Sequence, residues 1–257
     1  MSLSSLPAAS TPGSEMPSNR LLLGRVQRPG NGFHASSNLL SNSLLLDRRH
    51  GSGRVGRVGV VACGALALHV RAIAARRGWP VDVHPLPPAL HNRPEWIAPE
   101  VGRELTRLRS RYDRLAVAFA DCGTRGLLDD TLAKAGVERL RGDTCYDVLA
   151  LAEVQEALAK EPGTYFLTDF LVRTFERSVI RPLGLDRYPE LLDAYFGHYR
   201  RVVWLAQTPT PGLRAAAEAA AARLGLPLDE REVGDAGLER QLEALVSGHA
   251  TIRGCAA

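Results

Sequence analysis

The chain is poor in several things, and each shortage narrows its function. It has only two lysines, Lys134 and Lys160, against 30 arginines. Four cysteines in 257 residues are too few for a disulfide framework, and none of them forms the CxxC pairs of a zinc ribbon. No apolar run approaches the roughly 18 residues of a membrane span, so no membrane role is expected. Neither GxGxxG nor GxxxxGK[ST] occurs where a strand would meet a helix, which leaves NAD(P) and ATP weakly supported. There is no recognisable secretory signal. Thiols at strand ends are then expected to be reduced, in a cytoplasmic protein.

Excess positive charge is also missing where it would count. The formal charge is +4, but residues 1–57 hold seven arginines (20, 25, 28, 48, 49, 54 and 57) against Glu15 and Asp47. The other 200 residues carry 25 basic and 26 acidic side chains. The folded part therefore offers no basic surface to a phosphate backbone, and no nucleic-acid partner is expected.

Residues 1–54 are rich in Ser, Gly, Pro, Asn and Arg, with leucine triplets at 21–23 and 44–46 too short to build a core. They are expected to be a disordered basic tail. An Arg-rich, acid-poor targeting segment or a start codon placed too far upstream would look the same. From residue 55 to about 250, apolar runs alternate with amphipathic stretches. Strands are predicted at Arg54–Ala62, Val81–Leu86, Arg114–Ala120, Val137–Arg141, Thr164–Thr168, Arg201–Ala206 and Leu228–Val233. Helices are predicted at Ala65–Arg77, Pro99–Tyr112, Leu127–Ala135, Tyr146–Lys160, 169–181, 188–199, Pro211–Leu224 and Leu238–Val246. This alternation implies one α/β domain, a Rossmann-like, mostly parallel sheet with helices on both faces, and a C-terminal tail at 251–257.

Three of the cysteines fall where a predicted strand runs out: Ala62-Cys63-Gly64, Asp121-Cys122-Gly123 and Thr144-Cys145-Tyr146. Cys255 lies outside any predicted element. In a parallel sheet all such ends gather along the edge where these folds bind ligands. The same edge should hold Asp121, Thr168, Asp169 and Gln207, with His91 on the loop after the second strand. Thiolates are soft ligands suited to Zn²⁺ or an iron–sulfur cluster, so Cys63, Cys122 and Cys145 are the metal candidates, with zinc and a [4Fe-4S] cluster both open. His91 or Asp121 would complete the site or act as acid and base. Gly64 and Gly123 would let a ligand approach the backbone, and Thr168, Asp169 and Gln207 would contact a cofactor. The competing readings are ordinary: free cysteine often packs as a small hydrophobe, the glycines serve tight turns, and Thr168 or Asp169 caps a helix. Arg173, Arg177 and Arg181, four apart, meet an anion or form a solvated stripe.

The set Ala62-Cys63-Gly64, Leu90-His91-Asn92-Arg93-Pro94, Asp121-Cys122-Gly123, Cys145-Tyr146 and Thr164 to Phe170 resembles a bacterial and archaeal domain family of unknown function, over roughly residues 57–210. Members of that family are often encoded beside corrinoid-dependent methyltransferases. The resemblance implies a metal or cluster protein of one-carbon metabolism, acting on a small-molecule substrate or with a corrinoid methyltransferase system. A non-catalytic corrinoid- or methyltransferase-binding accessory protein and a metal-free thiol enzyme are the alternatives. The chain departs from the family pattern at Thr144, where His precedes the third cysteine, and in its long N-terminal tail.

Overall fold

The computed structural model describes residues 56–247. The expected tails, and Cys255, lie outside the described residues. Six parallel strands form two three-stranded sheets, ordered β2-β1-β3 and β4-β5-β6. In the first sheet β1 (Val58–Cys63) is central, between β2 (Val81–Leu86) and β3 (Arg114–Ala118). All six β1 residues are buried, the unbroken apolar run of a strand covered on both faces. At the outer edge β2 tolerates Pro85, which needs no ladder partner on its free side. The second sheet centres on β5 (Arg201–Ala206), flanked by β4 (Thr164–Thr168) and the charged edge strand β6 (Leu228–Glu232). Its Leu-Asp-Glu-Arg-Glu sequence discourages pairing with another chain.

The single continuous sheet that the alternation suggests is split, and the cause lies between β3 and β4. The segment predicted as a strand at Val137–Arg141 makes only one bridge, Val117 to Arg139. Beyond it the chain stays beside the end of β3 through two bonds, Asp121 N–H to the Gly142 carbonyl (3.0 Å) and Cys122 N–H to the Asp143 carbonyl (2.8 Å). This irregular strip closes the first sheet and carries no ladder on to β4.

Helices α1 (Ala67–Arg77), α2 (Ile97–Leu108), α3 (Leu127–Ala135) and α4 (Cys145–Lys160) follow the first strands. Gly78 ends α1 in the left-handed conformation a C-terminal cap requires. Thr144 starts α4 with a reciprocal capping box to Asp147. At Ala150 (φ −156°, ψ 62°) α4 kinks. Gly237 of the last helix, α8 (Ala236–Ser247), sits against that kink: a Cβ there would stand 2.3 Å from the Leu149 carbonyl oxygen.

The long helix expected at 169–181 is short, α5 (Asp169–Arg173), followed by a π-turn at Glu176–Ile180. The 188–199 stretch holds a 3₁₀ turn and α6 (Leu192–Phe196), and α7 is Pro211–Leu224. One face of the second sheet, with Phe166, Val203 and Leu205, joins the core of the first sheet, α4 and α8. The opposite face, with Leu167, Val202 and Trp204, packs under α5 and α7. Alternate residues of β4 and β5 thus serve different cores. No helix among the described residues is long and apolar enough to cross a membrane.

Candidate functional site

In the order β2-β1-β3 the chain leaves β1 toward one side and later returns to its other side. The loops after β1 and β3 therefore diverge, and the gap between them is where open parallel sheets hold ligands. Cys63 is the last residue of β1, and Cys122 lies just beyond β3. Across this gap lies the loop after β2, formed by 3₁₀ turns at Pro88–Asn92 and Pro94–Trp96. Pro88 seats on Gly64: a Cβ on Gly64 would be 2.7 Å from both the Leu86 carbonyl oxygen and Pro88 Cδ. Pro94 packs beside Gly123, whose φ of +84° suits glycine. The two glycines thus accommodate this arm of the protein itself, where the sequence suggested room for a ligand.

The arm delivers His91. Its Nδ1–H donates to the Pro88 carbonyl (3.1 Å), and its ring stacks on Phe119 with 12° between planes and 6.3 Å between centroids. A carbonyl cannot donate, so the neutral ring carries its proton on Nδ1 and leaves Nε2 as the acceptor. Cys63 Sγ lies 3.8 Å from Nε2 and 3.9 Å from Nδ1. Burial alone would lower the pKa of His91. Hydrogen bonding and electrostatic attraction to Cys122, together with the Pro88 carbonyl, raise it overall. His91 therefore touches Cys63 and feels the charge of Cys122.

The three sulfurs differ in setting. Cys63 is buried, and loss of solvent pushes its thiol up to about 11 despite backbone N–H bonds from Ala65 and Leu66. Cys145 opens α4 two residues after the strip tied to Cys122. Burial raises its pKa well above the ordinary value, and charge on Cys122 and then Cys63 adds to the effect. Cys145 thus feels the charge of both other thiols. Cys122 is only partly buried and sits at φ +53°, a left-handed conformation uncommon outside glycine and asparagine.

Asp121 explains how that conformation is held. Its carboxylate accepts the Thr124 hydroxyl (2.6 Å) and the N–H groups of Gly123 (3.1 Å), Arg125 (3.2 Å) and Gly126 (3.1 Å). Burial would raise its pKa, but these bonds and Arg139 lower it overall. The carboxylate is hydrogen-bonded to its own loop, so Asp121 positions Cys122.

Thr168, Asp169 and Gln207 end strands of the other sheet. Asp169 accepts from Trp204 Nε1 (3.0 Å), Gln207 N–H (3.2 Å), Thr208 N–H (2.9 Å) and the Thr208 hydroxyl (3.2 Å). Gln207 Oε1 accepts from Asp169 N–H (3.0 Å), its Nε2 donates to the Leu205 carbonyl, and Thr168 caps α5 through Leu171 N–H. Asp169 and Gln207 thus clasp the end of β4 to the end of β5, while Thr168 serves the start of α5. Sequence reasoning passed over Phe119, Pro88, Pro94 and Arg139. The first three show only as partners of His91 and the glycines, while Arg139 binds Asp129 through both carboxylate oxygens (2.6 and 2.9 Å) and the Gly142 carbonyl (3.2 Å).

Chemically, the site offers three thiols and one imidazole acceptor fixed by a backbone carbonyl. That donor chemistry fits a soft metal, and a metal-binding histidine ordinarily ties down its other nitrogen in this way. As the side chains stand, no group of three or more His, Cys, Asp or Glu among the described residues is disposed to hold a metal ion.

The chain belongs to the family described as protein of unknown function (DUF1638), which matches residues 85–242. That stretch includes His91, Cys122 and Cys145 and begins after β1, so Cys63 and Gly64 lie outside it. No curated protein and no solved structure matches the chain.

Proposed function

We propose that the chain binds a single soft metal ion, zinc in the first instance, through Cys63, Cys122, Cys145 and His91. The Cys63–His91 pair carries this reading. Zn–S near 2.3 Å and Zn–N near 2.05 Å in a tetrahedron put sulfur and nitrogen about 3.6 Å apart; Cys63 Sγ and His91 Nε2 are 3.8 Å apart. Holding the same ion would require Cys122 and Cys145 to turn toward it, since no three donors converge among the described residues as they stand. A short separation of this kind suits one shared ion better than a [4Fe-4S] cube, whose irons each take one ligand. When bound, such an ion would supply Lewis acidity toward a nucleophile or substrate group. The residues around it exclude water from Cys63, fix the His91 tautomer and present Cys122 at the open side. A role in one-carbon, corrinoid-linked methyl transfer rests on the family resemblance alone.

Anaerobic purification with elemental analysis tests the proposal, followed by replacement of the metal with Co²⁺. About one equivalent of zinc and intense thiolate-to-cobalt absorption are expected, both lost in Cys63→Ser and Cys145→Ser. Iron with acid-labile sulfide would replace zinc by a cluster; no metal at all would reject both.

A second reading has its own support, since the attraction of Cys122 raises the pKa of His91 and no three donors converge among the described residues. In it the protein is a metal-free thiol enzyme with Cys122 as nucleophile. Rapid alkylation of Cys122 by iodoacetamide in protein lacking metal, slowed by His91→Gln, is its signature.

A further inference from the structure

We propose that the trough between α7 and the α5–π-turn segment is a binding site for an amphipathic organic anion, an acidic head group on an apolar body. The trough has a volume of 540 Å³, within the range of small-molecule sites. Its apolar lining is Val172 and Phe175 on one side and Ala216, Ala219 and Ala220 on the other. It exists because the Ala-rich face of α7 has little side-chain bulk to fill the gap. On the facing side α5 stops at Thr174 (φ −119°, ψ 16°) and resumes as the π-turn Glu176–Ile180, a helix irregularity often found at functional sites.

Three guanidinium groups line the trough, those of Arg173, Arg177 and Arg223, against one carboxylate, Glu176. Arg223 is anchored by its Nη2 donating to the Leu185 carbonyl (3.3 Å). Among the described residues none of the three has an ion pair. Several other helix arginines are paired, Arg76 with Glu239, Arg103 with Glu100, Arg107 with Glu104, and Arg214 with Glu230 and Glu232; Arg71 donates to the Val83 carbonyl instead. Arg173 and Arg177 lie on the same side of the trough. A solvated stripe, the plainer reading of these arginines, accounts for neither the apolar floor nor Arg223 on the opposite helix. The third member of the sequence stripe, Arg181, is not part of the lining. The head group would meet the guanidiniums through charge-assisted hydrogen bonds, and the apolar body would lie on the alanines.

Isothermal titration of the full chain with octanoate and octyl phosphate tests this, with octan-1-ol and inorganic phosphate as the half-molecules. Saturable 1:1 binding of either amphiphile is expected, at least tenfold tighter than either half. Binding should weaken at least tenfold in Arg173→Ala/Arg177→Ala and be blocked in Ala219→Trp, with far-UV circular dichroism unchanged. Equal binding of octan-1-ol, binding insensitive to the double replacement, or no saturable binding of either amphiphile would overturn the proposal.

Discussion

Gly64→Ala is the sharpest probe of how the fold builds the thiol–imidazole site. The new Cβ would lie 2.7 Å from the Leu86 carbonyl oxygen, 2.7 Å from Pro88 Cδ and 3.2 Å from Pro88 N. All three belong to backbone or a proline ring, so no rotamer change relieves the overlap. Restoring ordinary contact requires the arm to retreat by about 0.7 Å, at an overpacking cost of about 2 kcal/mol. For a domain of this size that lowers Tm by about 4–8 °C. The retreat carries the Pro88 carbonyl and His91 with it, and metal ligands tolerate displacements of only about 0.2 Å. Zinc content should therefore fall further than stability alone explains. Gly212→Ala is the control: nothing lies within 4 Å of that position in α7, and removing a helical glycine should stabilise by about 0.5–1 kcal/mol. Differential scanning calorimetry with zinc analysis reads both effects. A Gly64→Ala protein with wild-type Tm and full zinc would refute the argument that this glycine holds the His91 arm in place.

Asp169→Asn should destabilise by about 3 kcal/mol in urea unfolding, because an amide accepts at only one of the two oxygens that now take two donors each; a loss under 1 kcal/mol would mean the clasp is dispensable. In Gly237→Ala the Cβ would meet the Leu149 carbonyl oxygen at 2.3 Å, so α8 should detach from the α4 kink, with faster amide exchange in α8 and about 2–3 kcal/mol lost. The raised thiol of Cys63 gives an alkaline limb in the metal-free protein. Unfolded, this group ionises near 9; folded, near 11. Its contribution is complete below pH 9 and is lost as pH rises through 11, about 1.4 kcal/mol gone by pH 10. Urea unfolding at pH 8 and pH 10 should show that difference shrink in Cys63→Ser; an unchanged difference would place the titration elsewhere.

The strands Val81–Leu86, Thr164–Thr168 and Arg201–Ala206 and the helices Leu127–Ala135 and Pro211–Leu224 occur where hydrophobic period and capping residues predict them, because those signals are local. The split between sheets is not local. Val137–Arg141 has the composition of a strand, but pairing depends on what lies beside it, and only Arg139 finds a bridge. The same limit applies at the site. Strand ends could be read, and with them the placing of Cys63 at the end of β1 and Cys122 just beyond β3. Which sheet each end belongs to is not legible, so the sequence does not separate Thr168, Asp169 and Gln207, at the ends of β4 and β5, from the residues of the other sheet. Gly64 looked like room for a ligand because its occupant, Pro88, lies 24 residues away in sequence.

The backbone at Cys122 separates packing from chemistry. A cysteine kept as a small hydrophobe has no reason to sit at φ +53°, where a side chain costs about 1 kcal/mol relative to glycine. That cost persists because Asp121 over-determines the loop with four hydrogen bonds and two further bonds tie residues 121 and 122 to the strip at 142–143. Strain held this firmly points to a use for the side chain. Cys122→Gly should therefore raise the stability of the metal-free protein by about 0.5–1 kcal/mol while lowering its affinity for Co²⁺ at least tenfold, as read by urea unfolding and cobalt titration. If the sulfur served packing alone, the same replacement would lower stability and leave cobalt binding as it was.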